Sequence, residues 1–404
     1  MSGEAGKRPN AHSPGGGAGD QKGGMRMKVL VCCLLLSIAS LVYAAEELVW
    51  TAVDIPGLEF TGDAILNYGL WFHGDFGWLN AGRQLWTTHD AGRSWTLSLT
   101  APDKHQFYDS YFVNSLEGWV VVWPRSLFHT EDGGISWEEA EVQLTEASGE
   151  HIGAGLTRVY FRDSLNGLGA FAIAGGFYPA WLGGIIARTE DGGKHWTKLT
   201  DGPLFPRLTG FGNAVWIDGP LESGYYSSDF GNTIRPIPIL GDDQAVFASP
   251  LYGWTVDADY VGEEFGPCRR WDVLKTTNRG NEWAARVFSR TTCVQSSIRD
   301  ICLMSEEMGA ILWYSRSEEE ELSLLYVTYN GGISWLSYHV PVEPDYYKIS
   351  CNRQRRELWM FPFPYSLGEG GTLFYTSIDI VAEVRIPNRL FTTWALIKEA
   401  RKEH

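Results

Sequence analysis

The segment Thr-x-Asp-x-Gly-x-x-Trp recurs along the chain and constrains its fold more than any other feature. Three copies are intact, two carry Asn in place of Asp, and a sixth, from Ser227 to Ile234, is degraded. The intact copies contain Thr88, Asp90, Gly92 and Trp95; Thr130, Asp132, Gly134 and Trp137; and Thr189, Asp191, Gly193 and Trp196. The Asn copies contain Thr276, Asn278, Gly280 and Trp283; and Thr328, Asn330, Gly332 and Trp335. Such self-similarity indicates a repeat architecture.

The residue types of the segment predict a hairpin turn. Asp or Asn accepts hydrogen bonds from backbone N–H groups ahead of it, Gly supplies positive φ, and the hydroxyl closes the turn from the other side. The Trp is expected two or three residues into the following strand, buried against the neighbouring repeat. Because the acidic position recurs on every unit, we interpret it as scaffold and not as a catalytic or metal-binding residue.

The spacing of the repeat predicts a propeller. Matching Trp positions lie 38 to 59 residues apart with a mean of 48, which fits one four-stranded blade per repeat. About seven blades then fill the chain, and 55 aromatic residues with 46 Gly favour an all-β fold. A Gly-Trp or similar pair precedes each hairpin and marks an inner strand; the pairs begin at Gly77, Gly118, Gly167, Gly253 and Gly309. The prediction is an all-β, seven-bladed β-propeller with Asp-box hairpins over residues 45–389.

The ends of the propeller are less regular. A seventh unit, residues 346–387, lacks the turn motif. Residues 50–56 resemble the outer strand at 335–341 and would close the ring by completing the last blade, although 381–386 compete for that place. Residues 390–404 are predicted to form a short C-terminal helix.

The N-terminal segment predicts export. Residues 1–26 are rich in Gly, Ser and Pro and are expected to be disordered or to arise from a misplaced start codon. Residues 27–44 have a basic start, an apolar run and small residues before Ala45, which is typical of a signal peptide. An uncleaved anchor is the alternative, but the run is shorter than the roughly 20 residues of a spanning helix. We expect a periplasmic or extracellular protein, or a lumenal one in a photosynthetic organism, that meets the membrane only if the signal is uncleaved.

Four cysteines follow the predicted signal: Cys268, Cys293, Cys302 and Cys351. Their even number suits a compartment that permits disulfides. Three pairings are possible, and buried free thiols remain an alternative.

Charge and missing motifs exclude several function classes. With 33 basic and 49 acidic residues the net charge is −16, which disfavours nucleic-acid binding. The sequence has no phosphate-binding loop, zinc-protease helix, nucleophile elbow or Cys-x-x-Cys motif. No cofactor or metal is therefore predicted.

The Gly-Trp pair followed by Leu-x-x-Thr-x-Asp-Gly-Gly-x-x-Trp resembles BNR-type Asp-box propellers similar to the photosystem II stability and assembly factor, over residues 48 to about 380. The resemblance implies a non-enzymatic, exported scaffold that binds a protein partner, and we expect a monomer. Sialidases, xyloglucan-degrading hydrolases and sortilin-type receptors share the repeat, so a carbohydrate-active hydrolase is the alternative. Arg385-Ile386-Pro387 resembles a sialidase segment but lies at the wrong end of the chain.

A propeller has two unlike faces. The crossover face carries the loops between second and third strands together with the connections to the next blade, and the motif face carries the Asp-box turns. The long loops 175–181, 257–271, 315–321 and 362–371 are predicted on the crossover face, and the basic run 353–356 on the motif face. Candidate binding residues on the crossover face are the aromatic Phe177, Tyr178 and Trp181 and the acidic Asp257, Asp259, Glu263 and Glu264.

Overall fold

A computed structural model describes residues 48–59, 69–174, 181–203, 207–219, 224–238, 245–261, 268–317, 321–341, 346–363 and 369–378. Within these ranges every regular element is a β-strand. A search of the same residues for helices long and apolar enough to cross a membrane finds none. The predicted signal peptide and C-terminal helix lie outside the described residues.

The strands form seven sheets in chain order, which confirms the predicted seven-bladed propeller. Strand β1 (Thr51–Glu59) comes first and belongs to the last blade. Blade 1 consists of β2 (Gly69–His73), β3 (Phe76–Ala81), β4 (Gln84–Thr88) and β5 (Thr96–Thr100). Blade 2 consists of β6 (Phe107–Phe112), β7 (Gly118–Val122), β8 (Ser126–Thr130) and β9 (Glu138–Glu141). Blade 3 consists of β10 (Gln143–Thr145), β11 (Gly155–Phe161), β12 (Gly167–Ala174), β13 (Trp181–Thr189) and β14 (His195–Gly202).

The second half continues the pattern. Blade 4 consists of β15 (Arg207–Phe211), β16 (Ala214–Asp218), β17 (Gly224–Ser227) and β18 (Arg235–Ile237). Blade 5 consists of β19 (Val246–Phe247), β20 (Gly253–Val261), β21 (Cys268–Thr276) and β22 (Ala285–Thr292). Blade 6 consists of β23 (Gln295–Leu303), β24 (Gly309–Arg316), β25 (Glu321–Thr328) and β26 (Leu336–His339). Blade 7 consists of β27 (Tyr346–Asn352), β28 (Glu357–Phe363), β29 (Glu369–Ser377) and β1.

The N-terminal strand closes the ring. Strand β1 pairs antiparallel with β29, with Thr51 opposite Tyr375 and Val53 opposite Leu373. The predicted closing role of residues 50–56 is confirmed, and the competing segment 381–386 lies outside the described residues. Blade 3 differs from the prediction because it has five strands. The additional strand is β10, which precedes the innermost strand β11 in the chain. It pairs parallel with β14 at the outer edge of the blade.

The Gly-Trp pairs are explained by packing between blades. Each pair lies at the start of the second strand of its blade, at the first two residues in four blades and one residue later at Gly77, which confirms the predicted inner strand. At Gly118 a Cβ atom would lie 2.3 Å from the Phe112 ring, so only glycine leaves room for that aromatic residue. Trp119 is fully buried and stacks on Phe161 of the next blade with 3.6 Å between ring centroids. The pair therefore joins consecutive blades through an apolar seam.

The Asp boxes form the predicted hydrogen-bonded turns. The Thr130 hydroxyl donates to Asp132 Oδ1 at 2.8 Å and accepts the Gly134 N–H at 2.9 Å. Asp132 Oδ1 also accepts the Ser136 N–H at 2.9 Å. The degraded copy keeps these bonds through Ser227, Asp229 and Gly231, and the Asn copies use Oδ1 of Asn278 and Asn330 in the same way. The predicted turn geometry of the repeat is thereby confirmed.

The motif Trp residues lie slightly earlier than predicted. Trp95, Trp137, Trp283 and Trp335 come just before the outer strand, and Trp196 is the second residue of β14. Because the Asp-box hydrogen bonds involve the residues just before the Trp, the outer strand begins to pair only at or after the Trp. The indoles of Trp137, Trp283 and Trp335 donate to Ser98 Oγ, Pro238 O and Val287 O of the preceding blade. Those of Trp95 and Trp196 donate to carbonyls of their own turns.

Two disulfides settle the open pairing question. Cys268 pairs with Cys293, and Cys302 pairs with Cys351, so free thiols are excluded for these four residues. The first bond ties the start of β21 to the connection between blades 5 and 6. The second joins β23 and β27, the innermost strands of blades 6 and 7.

Candidate binding face

Arg353 covers the motif-face end of the central channel. It follows β27 in the loop to β28, which confirms the predicted position of the 353–356 run. Its guanidinium donates to Leu303 O at 3.0 Å in blade 6 and to Phe247 O at 2.6 Å in blade 5. It also lies 5.8 Å from the Phe211 ring in blade 4. Burial lowers the pKa of Arg353. Because one side chain spans from blade 7 to blade 4, we infer that a ligand would approach the channel from the crossover face.

The innermost strands carry an unexpected set of positive charges. They belong to four different blades and are all half-buried: Arg158 of β11, Arg207 of β15, Arg299 of β23 and Lys348 of β27. First strands lie nearest the axis of a propeller, so these four residues belong to strands that surround the channel of a chain whose net charge is −16. The sequence analysis missed them because residues in separate repeats reveal a common location only after the strands are placed.

Two aspartates join neighbouring inner strands beside these cations. Asp109 of blade 2 accepts the Val159 N–H of blade 3 at 2.9 Å. Asp300 of blade 6 accepts the Ile349 N–H of blade 7 at 2.9 Å and lies 3.9 Å from Lys348 Nζ. Burial raises the pKa of Asp109 to about 6, while nearby Arg158 opposes the shift. Both carboxylates therefore accept a hydrogen bond from the backbone of the next blade.

The cation of blade 4 has a buried acidic partner. Arg207 Nε lies 3.4 Å from Asp218 Oδ1, and the Asp218 side chain is almost fully buried. Burial raises the pKa of Asp218, and the Arg207 charge opposes that shift.

The acidic loop predicted in blade 5 is shorter than expected. Asp257 and Asp259 lie in β20, which pairs with β21 as far as Val261 and Cys268. The predicted loop 257–271 is therefore wrong in its bounds, and the connection covers 262–267. Glu263 and Glu264 fall outside the described residues. Exposed Asp259 faces Arg270 at 3.6 Å, so positive charge accompanies the acids.

An arginine–aromatic patch occupies this part of the crossover face. We define it as Tyr260, Arg269, Trp271, Arg290 and Trp313. The Arg269 guanidinium lies 4.4 Å from the Trp271 ring and 5.5 Å from the Tyr260 ring, and Tyr260 is 47% exposed. Arg290 lies 4.8 Å from the Trp313 ring. Among the described atoms, Arg269 Nε and the indole nitrogens of Trp271 and Trp313 have no hydrogen-bond partner. Trp271 and Trp313 are buried, so the groups of the patch that a peptide can reach are the exposed Tyr260 and the half-buried Arg269 and Arg290.

The predicted aromatic loop can be placed only in part. Phe177 and Tyr178 lie outside the described residues. Trp181 is the first residue of β13, opposite Ala174, and only its backbone is described. The contact role of these three aromatic residues stays a prediction.

One mixed cluster with metal-binding residue types occurs within the described ranges. It consists of Glu117, His129 and Glu131 on blade 2, with ligand atoms within 4.8 Å of one another. His129 Nε2 lies 3.4 Å from Glu117 Oε1, and the imidazole stacks on Trp119. The side-chain contact of His129 with Glu117 and its stacking on Trp119 account for this geometry.

Comparison with known proteins agrees with the resemblance seen in the sequence. The family described as Photosynthesis system II assembly factor YCF48 matches residues 42–151, about a quarter of the chain. No curated protein sequence matches. A solved structure of YCF48 bound to a D1 peptide is 17% identical, with a TM-score of 0.53, and the match covers 82% of this chain and 97% of that one.

Two further solved structures match the chain. YCF48 from Cyanidioschyzon merolae is 15% identical over 81% of this chain and 98% of that one, with a TM-score of 0.48. A GH74 xyloglucanase from Xanthomonas campestris is 12% identical over 78% of this chain and 53% of that one, with a TM-score of 0.52. At such identities a structural match shows the fold alone. The chain is a BNR-type propeller that resembles photosystem II assembly factors.

Proposed function

We propose that this protein is a non-enzymatic binding propeller that holds an extended, carboxylate-bearing segment of a partner protein on its crossover face. The observation that carries the proposal is the set of inner-strand cations, Arg158, Arg207, Arg299 and Lys348, in an acidic chain. Oppositely charged groups attract strongly where the walls exclude water. Arg353 occupies the other end of the channel, which leaves the crossover face as the entrance.

The arginine–aromatic patch supplies the second part of the proposed site. Desolvated Trp, Tyr and Arg side chains carry most of the energy of protein interfaces. Tyr260, Arg269 and Trp271 already stack on one another, so little side-chain freedom is lost on binding. We place the predicted aromatic anchors Tyr178 and Trp181 on the same face.

The comparisons support a peptide as the ligand. YCF48 has been solved with a D1 peptide, and the shared fold spans nearly that whole chain. We therefore propose that this protein, like an assembly factor, binds a terminal or loop segment of a photosystem subunit. The D1 peptide is the first probe to use.

The experiment measures affinity for a labelled D1 peptide by fluorescence anisotropy. Arg299→Gln combined with Lys348→Gln should weaken binding at least tenfold, because two cations are removed from the channel wall. Arg355→Gln on the motif face is the matched control, since its pair with Asp75 is exposed. Equal affinity of both variants and the wild type, with unchanged melting, would contradict the proposed site. Trp181→Ala with Tyr178→Ala should also weaken binding at least tenfold.

We also propose that the protein is exported after cleavage behind Ala44. The support is the basic start, the apolar run and the small residues of segment 27–44. Intact mass of the secreted protein should begin at Ala45. Recovery of a membrane-embedded species that retains residues 27–44 would overturn the proposal.

A glycoside hydrolase is the competing function. Two observations support this alternative. The fold is shared with the GH74 xyloglucanase, and the raised pKa of Asp109, about 6, would suit a general acid. Such a reaction needs a second carboxylate across the mouth. Asp109 instead accepts a backbone N–H between blades, which favours a structural role. Xyloglucan should stay uncleaved; turnover that disappears in Asp109→Asn would establish the hydrolase.

A further inference from the structure

The seam between blades 5 and 6 opens on the motif face into a cavity of about 410 Å³. Blade 5 contributes Tyr252 and Lys275. Blade 6 contributes Glu306, Glu307, Tyr329, Asn330, Gly331 and Ile333. This volume falls within the usual range of small-molecule sites. The cavity lies on the face opposite the proposed peptide site.

The seam between blades 3 and 4 shows how such a site can be filled by the protein itself. Arg188 directly precedes its box hydroxyl residue, as Lys275 does in blade 5. Arg188 Nη1 donates to Asn232 Oδ1 at 2.8 Å, and Nη2 donates to Phe230 O at 2.5 Å. The basic side chain of one blade is thus held by the Asp box of the next.

In the seam between blades 5 and 6 this partnership is lost. Counted from the box hydroxyl residue, Ile333 takes the position of Asn232, and it is 86% exposed. No hydrogen bond or ion pair of Lys275 occurs within the described part of the chain. Its ammonium lies 5.8 Å from the Tyr252 ring. The replacement of Asn by Ile therefore leaves a cation available in the cavity.

The opposite charge is also available. Glu306 Oε1 accepts the Ser249 hydroxyl at 3.0 Å, whereas the Glu307 carboxylate has no such bond among the described residues. The hydroxyls of Tyr252 and Tyr329 are engaged with Trp254 and Ile378, so their rings serve as walls. The cavity thus combines one cation, one free carboxylate and apolar rings.

We propose that this cavity binds a small zwitterion of the α-amino acid or dipeptide class. Lys275 would bind the ligand carboxylate and Glu307 its ammonium group, while an aliphatic side chain would pack on Tyr329 and Ile333. Each ligand group meets a partner of opposite charge or like polarity, which orients it in the site.

Calorimetric titration of the full-length protein tests the proposal with four probes. Leucine and leucyl-leucine should bind with millimolar affinity or better, and the tighter of the two identifies the class. N-acetylleucine and leucinamide each lack one charge and should bind at least tenfold more weakly. Failure of leucine and leucyl-leucine to bind at about 50 mM, far above a 1 mM Kd, would overturn the proposal. Equal affinity for all four probes would do the same.

Variants test the named residues. Lys275→Met and Glu307→Gln should each weaken leucine binding at least tenfold, and Lys194→Met, an exposed lysine in the box of blade 3, should not. Ile333→Asn supplies the acceptor found at Asn232 and should also weaken binding at least tenfold. This exposed substitution keeps the test valid if Lys275→Met lowers the melting temperature. Unchanged binding in Ile333→Asn and Glu307→Gln would overturn the assignment.

Discussion

Arg93 of the first blade and Glu357 of the last blade form a two-point ion pair where the ring closes. Arg93 Nη1 lies 3.1 Å from Glu357 Oε2, and Nη2 lies 2.5 Å from Oε1. The hydrogen bond with Glu357 is the main reason that the pKa of Arg93 is raised. The guanidinium also lies 4.2 Å from the Tyr375 ring. This pair couples blade 1 to a blade that lacks an Asp box.

Arg93→Ala should destabilise the protein because it leaves the buried Glu357 carboxylate without its cation. We expect a loss of about 1–3 kcal/mol in the free energy of unfolding, below the full cost for a buried pair since Arg93 is partly exposed. Urea unfolding measures the change. Asp103→Ala, which removes an exposed partner of Arg83, is the control and should cost less than about 0.5 kcal/mol. Equal effects would show that the closing seam does not depend on the pair.

Asp191→Ala should destabilise the box of blade 3. Asp191 Oδ1 accepts hydrogen bonds from the Thr189 hydroxyl and the His195 N–H, and the variant loses both bonds. We expect about 1–2 kcal/mol. Asp191→Asn should cost clearly less, because Asn330 keeps the same Oδ1 bonds in blade 6. Thermal unfolding of the two variants provides the comparison, and equal losses would contradict the assigned role of Oδ1.

Asp132 should make stability depend on pH in the acid range. Hydrogen bonds from the Ser136 hydroxyl and N–H lower its pKa to about 2, below the unfolded value near 4. A lowered pKa stabilises the folded state above pH 4, and that contribution disappears as the pH falls through 2. Asp132→Asn should therefore lose stability less steeply than the wild type between pH 4 and 2. Parallel slopes in urea unfolding would contradict the shift.

Asp109 should make stability depend on pH in the direction opposite to Asp132. Burial raises its pKa to about 6, so the folded state binds the proton more tightly than the unfolded state. The wild type should gain stability relative to Asp109→Asn as the pH falls from 7 to 4, because protonation removes the cost of a buried charge. Unfolding of both proteins at these two pH values measures the difference. A constant difference would show that Asp109 titrates normally.

Arg353→Ala should destabilise the ring and open the channel at the motif face. It removes the donor from Leu303 O and Phe247 O, and we expect a loss of about 2–3 kcal/mol. Arg355→Ala, two residues later, breaks only an exposed pair with Asp75 and should cost less than about 0.5 kcal/mol. Chemical unfolding of both variants checks the contrast.

Local chemistry explains what the sequence predicts well. The Thr–Asp–Gly bonds lie within four residues of one another, so the pattern alone predicts the turns, and their spacing predicts the blades. The closing strand was predictable because residues 50–56 match an outer strand in residue pattern.

Contacts between distant segments account for the features that the sequence did not predict. Arg158 and Lys348 share the channel although 190 positions separate them, and no local pattern connects them. Glu357 begins the second strand of blade 7, whereas the second strands of blades 2, 3, 5 and 6 begin with Gly. The role of this glutamate becomes visible only when Arg93 is placed opposite it. In blade 5 the acidic residues suggest a loop, whereas the pairing of Asp257 with Asp272 and of Asp259 with Arg270 shows an extended hairpin.

The pairing of β1 with β29 also sets the order in which the molecule can be completed. Thr51 finds its partner, Tyr375, 324 positions later. At roughly 5–20 residues per second, a ribosome needs on the order of 20–60 s to deliver that partner. During this interval β1, the outer strand of the last blade, has no sheet to join, because the other three strands of that blade have not yet been made. The closed ring of blades therefore reaches its full folding cooperativity only after synthesis is almost finished. For most of that time the early strand β1 is exposed to chaperones.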